Sequence, residues 1–195
     1  MVTVACVLIV HEPRVSLVQE VVLPSVLGQG FSEILWVGDG HPGDGYRFLP
    51  VPKLTGTTLD ALVKRDVGTL ATNAEWLFYL ADDHRWACHW PDMLTHRLPF
   101  PDHDIIVPGR WCDGGEQPIS LNMGMDGTDP NFPYCAGHGG FFRKTLIEAR
   151  PWTTMPHHPN WDLLATRMQM QMGARVMAEN QPMIQDLEPE RQPWK

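Results

Sequence analysis

The chain opens on a nearly unbroken apolar and β-branched run, Val2 to Val10, the pattern of a strand covered on both faces of a parallel sheet. His11-Glu12-Pro13 ends it. From Ser16, a cap residue by type, Leu17, Val18, Val21, Val22 and Val26 line one face of a helix reaching about Leu27. Pro24 is expected to kink or break that helix, and Gly28-Gln29-Gly30 stops it. Ile34-Leu35-Trp36-Val37 predicts a second strand, Tyr46 to Val51 a shorter third, and Thr58 to Ala71 a second helix. Trp76-Leu77-Phe78-Tyr79-Leu80-Ala81 is too brief and too aromatic for an ordinary helix. It reads as a buried strand that ends abruptly in Asp82-Asp83-His84.

Strand, helix, strand, strand, helix, strand is the alternation of an α/β domain, with helices packed on a mostly parallel central sheet. In open sheets of this kind ligands lie in the crevice outside the carboxyl ends of the strands. The loops after the first, second and fourth strands share that edge, so His11, Glu12, Asp39, Asp82 and Asp83 converge on one crevice. Beyond His84 the regularity falls. Asp104 to Pro108 predicts another strand, Trp111 to Pro133 a loop region, Thr145 the start of a helix, and Asn160 to Met172 a further helix stopped by Gly173. The expected organisation is one domain over residues 1–180, halved near residue 110, followed by a polar, proline-bearing tail from Gln181 to Lys195.

At 195 residues the chain is long enough to bury roughly 70% of its unfolded surface in a single domain. Cys6, Cys88, Cys112 and Cys135 are widely spaced, which fits reduced thiols in a cytoplasm-like compartment better than a disulfide framework. No apolar run approaches the roughly 20 residues that cross a bilayer. The expectation is therefore a soluble, cytoplasmic protein without membrane insertion. A net charge of -8 gives no general attraction to nucleic acid, although a local basic groove is compatible with it.

Asp82-Asp83-His84 presents hard oxygen ligands and an imidazole at a strand end, a set suited to Mg²⁺ or Mn²⁺ that bridges substrate phosphates. Acidic pairs after strands are equally ordinary turn and cap chemistry. Asp39, between two glycines, is open to the same two readings.

Val4 to Val10, Pro24-Ser25-Val26-Leu27-Gly28-Gln29, Ile34 to Gly40, Lys64-Arg65-Asp66-Val67-Gly68 and Trp76 to His84 follow one another in the order seen in family 2 glycosyltransferases of the GT-A fold. The chain resembles that family from about Val2 to Val176. The resemblance implies an inverting transfer of a sugar from a nucleotide-diphosphate donor, a UDP-sugar favoured, to an acceptor hydroxyl, with Mn²⁺ or Mg²⁺ assisting. It implies donor contacts at His11, Glu12, Asp39, Arg65, Asp82 and Asp83. The family's Asp-x-Asp metal motif reads Ala81-Asp82-Asp83 here, so Asp83 carries the metal role with Asp82 or His84 as helper. The family's Arg-Asn-x-Gly element reads Arg65-Asp66-Val67-Gly68, Asp replacing Asn. Its glycine-rich acceptor segment falls on Gly137 to Lys144, which places Gly139, Gly140 and Arg143 on the acceptor side with Trp161. Its catalytic base falls on Asp162, where the expected preceding Glu is replaced by Trp161.

Three other readings stay open at this point. His84, Cys88 and His89, with Cys135 and His138, carry zinc-binding side chains. A chain of this fold can also bind a nucleotide sugar without turning it over, or transfer a nucleotidyl group. Any of Trp86, Trp90, Trp111 and Trp152 offers an indole face for stacking, against the ordinary burial of a large ring. A small glycan, a protein side chain and a hydroxymethylated DNA base all remain acceptors compatible with the sequence, and the oligomeric state is open.

Overall fold

The computed structural model describes residues 2–54, 57–86, 103–111, 118–119, 140–154 and 168–187. Its framework is one sheet with strands β1 (Val4–Val10), β2 (Glu33–Gly38), β3 (Arg47–Pro50), β4 (Trp76–Ala81), β5 (His84–Trp86), β6 (Ile105–Trp111), β7 (Pro118–Ile119), β8 (Phe141–Arg143) and β9 (Val176–Asp186). The strands lie in the order β3-β2-β1-β4-β8-β6-β9-β5, with β7 pairing β6. From β3 to β4 every pairing is parallel. Past β4 the directions mix, because β8 enters antiparallel to both β4 and β6.

The burial pattern explains why β1 is apolar throughout. Val4, Cys6, Leu8 and Val10 pack toward one helical layer, and Ala5, Val7 and Ile9 pack toward the other, the alternation that a pleated strand imposes. The helical segment α1 (residues 12–26) covers the first face with Val18, Val22, Leu23 and Val26. Helices α2 (Thr57–Ala71) and α3 (Lys144–Ala149) cover the second, where Leu62 and Ile147 are fully buried. Burial pushes the Cys6 thiol well above its ordinary range, so it behaves as a small core apolar group. Among the described residues no helix is long and apolar enough to cross a membrane.

Two expectations about α1 are corrected. The helical segment starts with a 3-10 turn at Glu12–Arg14, with Pro13 in its first turn, so Ser16 lies inside it and does not cap it. It then continues through Val15–Leu17, a π turn at Val18–Val22, and Leu23–Val26. Pro24 does not break this path. The wider π turn just before it, in which the Leu23 N–H reaches the Val18 carbonyl, absorbs the mismatch that a missing N–H brings to an α-helix.

The expected tail from Gln181 is also redrawn, since β9 runs on to Asp186 between β6 and β5. Its register to β6 shifts around Gly109, opposite Pro182, the kind of irregularity at which a strand tolerates proline. The end of β9 then supports the β4–β5 turn: the Leu187 N–H donates to the Asp83 carbonyl at 2.8 Å.

Candidate functional site

The carboxyl ends of β1, β2 and β4 meet the first turns of α2, and this is where the charged side chains collect. Lys64 is fully buried, four residues after Asp60 on α2. Its ammonium lies 2.7 Å from Asp60 Oδ2 and 3.2 Å from Asp39 Oδ2, and donates to the Val10 carbonyl at 2.9 Å. Burial works against ionisation of Asp60, but Lys64, the Leu54 N–H and His11 outweigh it and hold its carboxyl below the ordinary range. Asp39 stays partly exposed. One of its oxygens faces Lys64, and its N–H donates to Val10 at 3.1 Å.

The β4 acids divide their roles. Asp82 is buried, and its Oδ2 accepts the His11 N–H at 2.8 Å and faces His11 Nδ1 at 2.8 Å. Arg14 Nη1 donates to Asp82 Oδ1 at 2.7 Å and lies 3.3 Å from Asp83 Oδ2. The other Asp83 oxygen is 2.6 Å from His84 Nδ1. His11 reaches onward, its Nε2 being 3.2 Å from Asp60 Oδ2. A single ionic network thus links Asp39, Lys64, Asp60, His11, Asp82, Arg14 and Asp83. Its floor, Asp60, Lys64 and Asp82, is buried, while its rim, His11, Arg14, Asp39 and Asp83, has side chains 22–32% exposed.

The expected metal ligands do not fit a divalent ion. Asp83 and His84 face each other across 2.6 Å, and each oxygen of Asp82 and Asp83 already faces a protein nitrogen within 3.3 Å. Among the described residues no group of three or more His, Cys, Asp or Glu side chains is arranged to hold a metal. Of the expected zinc ligands only His84 is described. Cys88, His89, Cys135 and His138 lie outside the described residues, as do Gly139, Trp161 and Asp162.

The remaining expected residues are brought together only in part. Glu12 is exposed on the 3-10 turn beside the crevice residue His11. Arg65, expected at the donor, is 1% exposed, donates to the Ala61 carbonyl and lies over the Tyr79 ring at 5.9 Å. It serves the packing of α2 on β4. Its neighbours in the Arg-Asp-x-Gly element are structural too. A Cβ on Gly68 would stand 2.4 Å from a Val7 methyl, and Asp66 accepts from Trp152 N, Thr153 N and Thr153 Oγ1 at 2.7, 3.0 and 2.7 Å. Asp66→Ala is expected to destabilise the chain by about 2 kcal/mol through loss of this cap, read as a lower urea midpoint, with Asp66→Asn losing less because an amide oxygen still accepts.

Arg143 requires correction. Since β8 runs antiparallel to β4, Arg143 pairs with Trp76 at the amino end of β4, away from Asp82. There it stacks over the Trp76 ring at 4.8 Å and pairs with Asp104. Gly140, at the other end of the same segment, is buried and accepts from the Tyr79 N–H, so only the glycine end runs toward the crevice. Trp86 and Trp152 are core residues, the first edge-on to Phe78 and the second edge-on to Tyr79 and Phe142. Trp90 lies outside the described residues.

Sequence reasoning missed Arg14, Asp60 and Lys64 as members of the site. The i, i+4 spacing of Asp60 and Lys64 on a helix was the available signal for that pair. Arg14 carried none, because its role depends on the 3-10 turn that aims it.

No protein-family model and no curated protein sequence matches the chain. Its structure is similar to two crystal structures of S. aureus TarS. The one of residues 1-349 superposes with a TM-score of 0.65 at 12% identity, covering 96% of this chain and 61% of that one. The other superposes with a TM-score of 0.66 at 11% identity, covering 94% and 36%. The chain thus has a GT-A-like glycosyltransferase fold and spans about three fifths or less of the TarS chains it matches.

Proposed function

We propose that the carboxyl-edge crevice binds a nucleotide-diphosphate sugar, a UDP-sugar favoured, and that the chain transfers the sugar to an acceptor hydroxyl. The carrying observation is the placement of Asp39 at the end of β2, ion-paired to buried Lys64 on the same edge as Arg14 and Asp82-Asp83. The likeness to TarS, a family 2 glycosyltransferase, supports the same reading. Asp39 has one oxygen on Lys64, and the other is assigned to a donor hydroxyl or base N–H. The basic side chains His11 and Arg14 on the rim suit a diphosphate.

In the proposed reaction the bond from the anomeric carbon to the diphosphate oxygen breaks as the acceptor oxygen attacks from the opposite face. The acceptor proton passes to Asp162, and the configuration inverts. General-base help of this kind contributes about 10² to 10⁴ in rate. The test is to incubate the protein with UDP-, GDP- and dTDP-sugars and measure released nucleoside diphosphate. Release in wild type, with Asp39→Ala weakening donor binding about tenfold, the value of one charge-assisted hydrogen bond, supports the reading. Release of a sugar 1-phosphate in its place, from cleavage between the two phosphates, makes the chain a nucleotidyltransferase, and binding without release makes it a nucleotide-sugar binder.

A further inference from the structure

We propose that Arg14 occupies the seat between Asp82 and Asp83 that a divalent cation would take, so that this chain meets the donor diphosphate with a built-in guanidinium and loads no Mn²⁺ or Mg²⁺ there. The diphosphate half of this inference rests on the function proposed above; the seat itself does not.

Arg14 Nη1 bridges the two acids, 2.7 Å from Asp82 Oδ1 and 3.3 Å from Asp83 Oδ2. The outer oxygens of the pair are taken by His11 and His84. An entering ion would therefore have to displace a guanidinium, which stays charged at every working pH, and break contacts to two histidines. The backbone fixes this arrangement as well. The Arg14 N–H donates to the His11 carbonyl at 2.9 Å, and the His11 N–H donates to Asp82 at 2.8 Å, so the 3-10 turn after β1 is fastened to the acid that Arg14 neutralises. Asp82 is 2% exposed and Arg14 is 22% exposed by side chain. The cation is thus anchored from below and meets the crevice from above, and its forked N–H donors match phosphate oxygens as they match carboxylates.

The test has a metal arm and a nucleotide arm. Mn²⁺ alone is titrated into the wild-type chain, Arg14→Met and Arg14→Lys, with the free ion followed by its electron paramagnetic resonance signal. The wild type and Arg14→Lys are expected to leave millimolar Mn²⁺ free, and Arg14→Met to bind it about tenfold or more tightly than wild type once the two carboxylates face each other without a cation. Stoichiometric Mn²⁺ uptake by the wild type overturns the assignment. In the second arm UDP binding is measured by calorimetry in chelator and in Mn²⁺. Wild-type affinity is expected to agree within about twofold between the two conditions, and Arg14→Met to lose about tenfold in chelator. A wild-type affinity that rises tenfold with Mn²⁺ contradicts the proposal. Absence of UDP binding under both conditions removes the donor role of Arg14 and the donor reading with it, while the Mn²⁺ titration still decides which cation holds the seat.

Discussion

Lys64→Met is expected to destabilise the chain by about 3–5 kcal/mol, the loss seen when one partner of a buried ion pair is removed. Against a total stability of about 5–15 kcal/mol, that leaves a marginal fold. The ammonium is 0% exposed and faces Asp60, Asp39 and the Val10 carbonyl together. Without it Asp60, 3% exposed by side chain, keeps a buried charge supported, among the described residues, by the Leu54 N–H and His11. A urea titration of the single variant and of Lys64→Met with Asp60→Asn separates charge from packing. The double variant is expected to recover most of the loss, because neither buried charge is then uncompensated.

The pH dependence gives an independent check. The Asp60 pKa is lowered in the folded chain, so between its folded and unfolded values the unfolded state binds more protons. Its contribution is complete above the ordinary carboxylate range, near pH 4, and is lost as pH falls through the folded value. Lys64→Met removes the main lowering influence and leaves burial, which favours the protonated acid. The gap in stability between wild type and variant should therefore narrow as pH falls, first above about pH 4 as the variant's Asp60 protonates and then below it as the wild type passes through its lowered value. A constant gap across that range would show that Asp60 carries no charge dependent on Lys64.

The parallel half of the sheet was readable from the sequence because its strands are short, apolar on both faces and punctuated by turn residues. Strand ends were enough to gather His11, Asp39, Asp82 and Asp83, since a parallel sheet sends every carboxyl end to one edge. What those residues touch was not readable. Arg14 reaches Asp82 across 68 positions of sequence, and no local pattern encodes such a contact. Arg143 went to the wrong edge for a related reason: Phe141-Phe142-Arg143 reads as a strand in either direction, and its antiparallel pairing to β4 decides which end approaches the crevice. The segment Arg65-Asp66-Val67-Gly68 shows the opposite trap. It looks like a donor-site motif, yet its arginine, aspartate and glycine each have a packing partner, Tyr79, the 152–154 turn and Val7. Strand β9 escaped because its polar, proline-bearing sequence is carried by backbone pairing to two neighbours.

Gly38→Ala is the second substitution with a large expected effect, a loss of about 3 kcal/mol or more. Gly38 ends β2 at φ +125°, a backbone region that side chains rarely adopt, and a Cβ there would stand 2.2 Å from the Val10 carbonyl oxygen and 2.9 Å from Lys64 Cε. That carbonyl accepts from Lys64 and from the Asp39 N–H, so the closest clash is with fixed backbone at the end of β1. Gly45→Ala is the control. It shares a positive φ, +93°, but a Cβ there meets nothing within 4 Å, so backbone strain alone costs about 1–2 kcal/mol. The difference between the two urea midpoints isolates crowding at the mouth of the Lys64 seat. Unlike the loss in Lys64→Met, it should not be recovered by Asp60→Asn, because a displaced backbone carbonyl is indifferent to the charge on Asp60. Recovery by that second substitution would mean that Gly38 acts through the ion pair and that the close approach of β2 to Val10 is incidental.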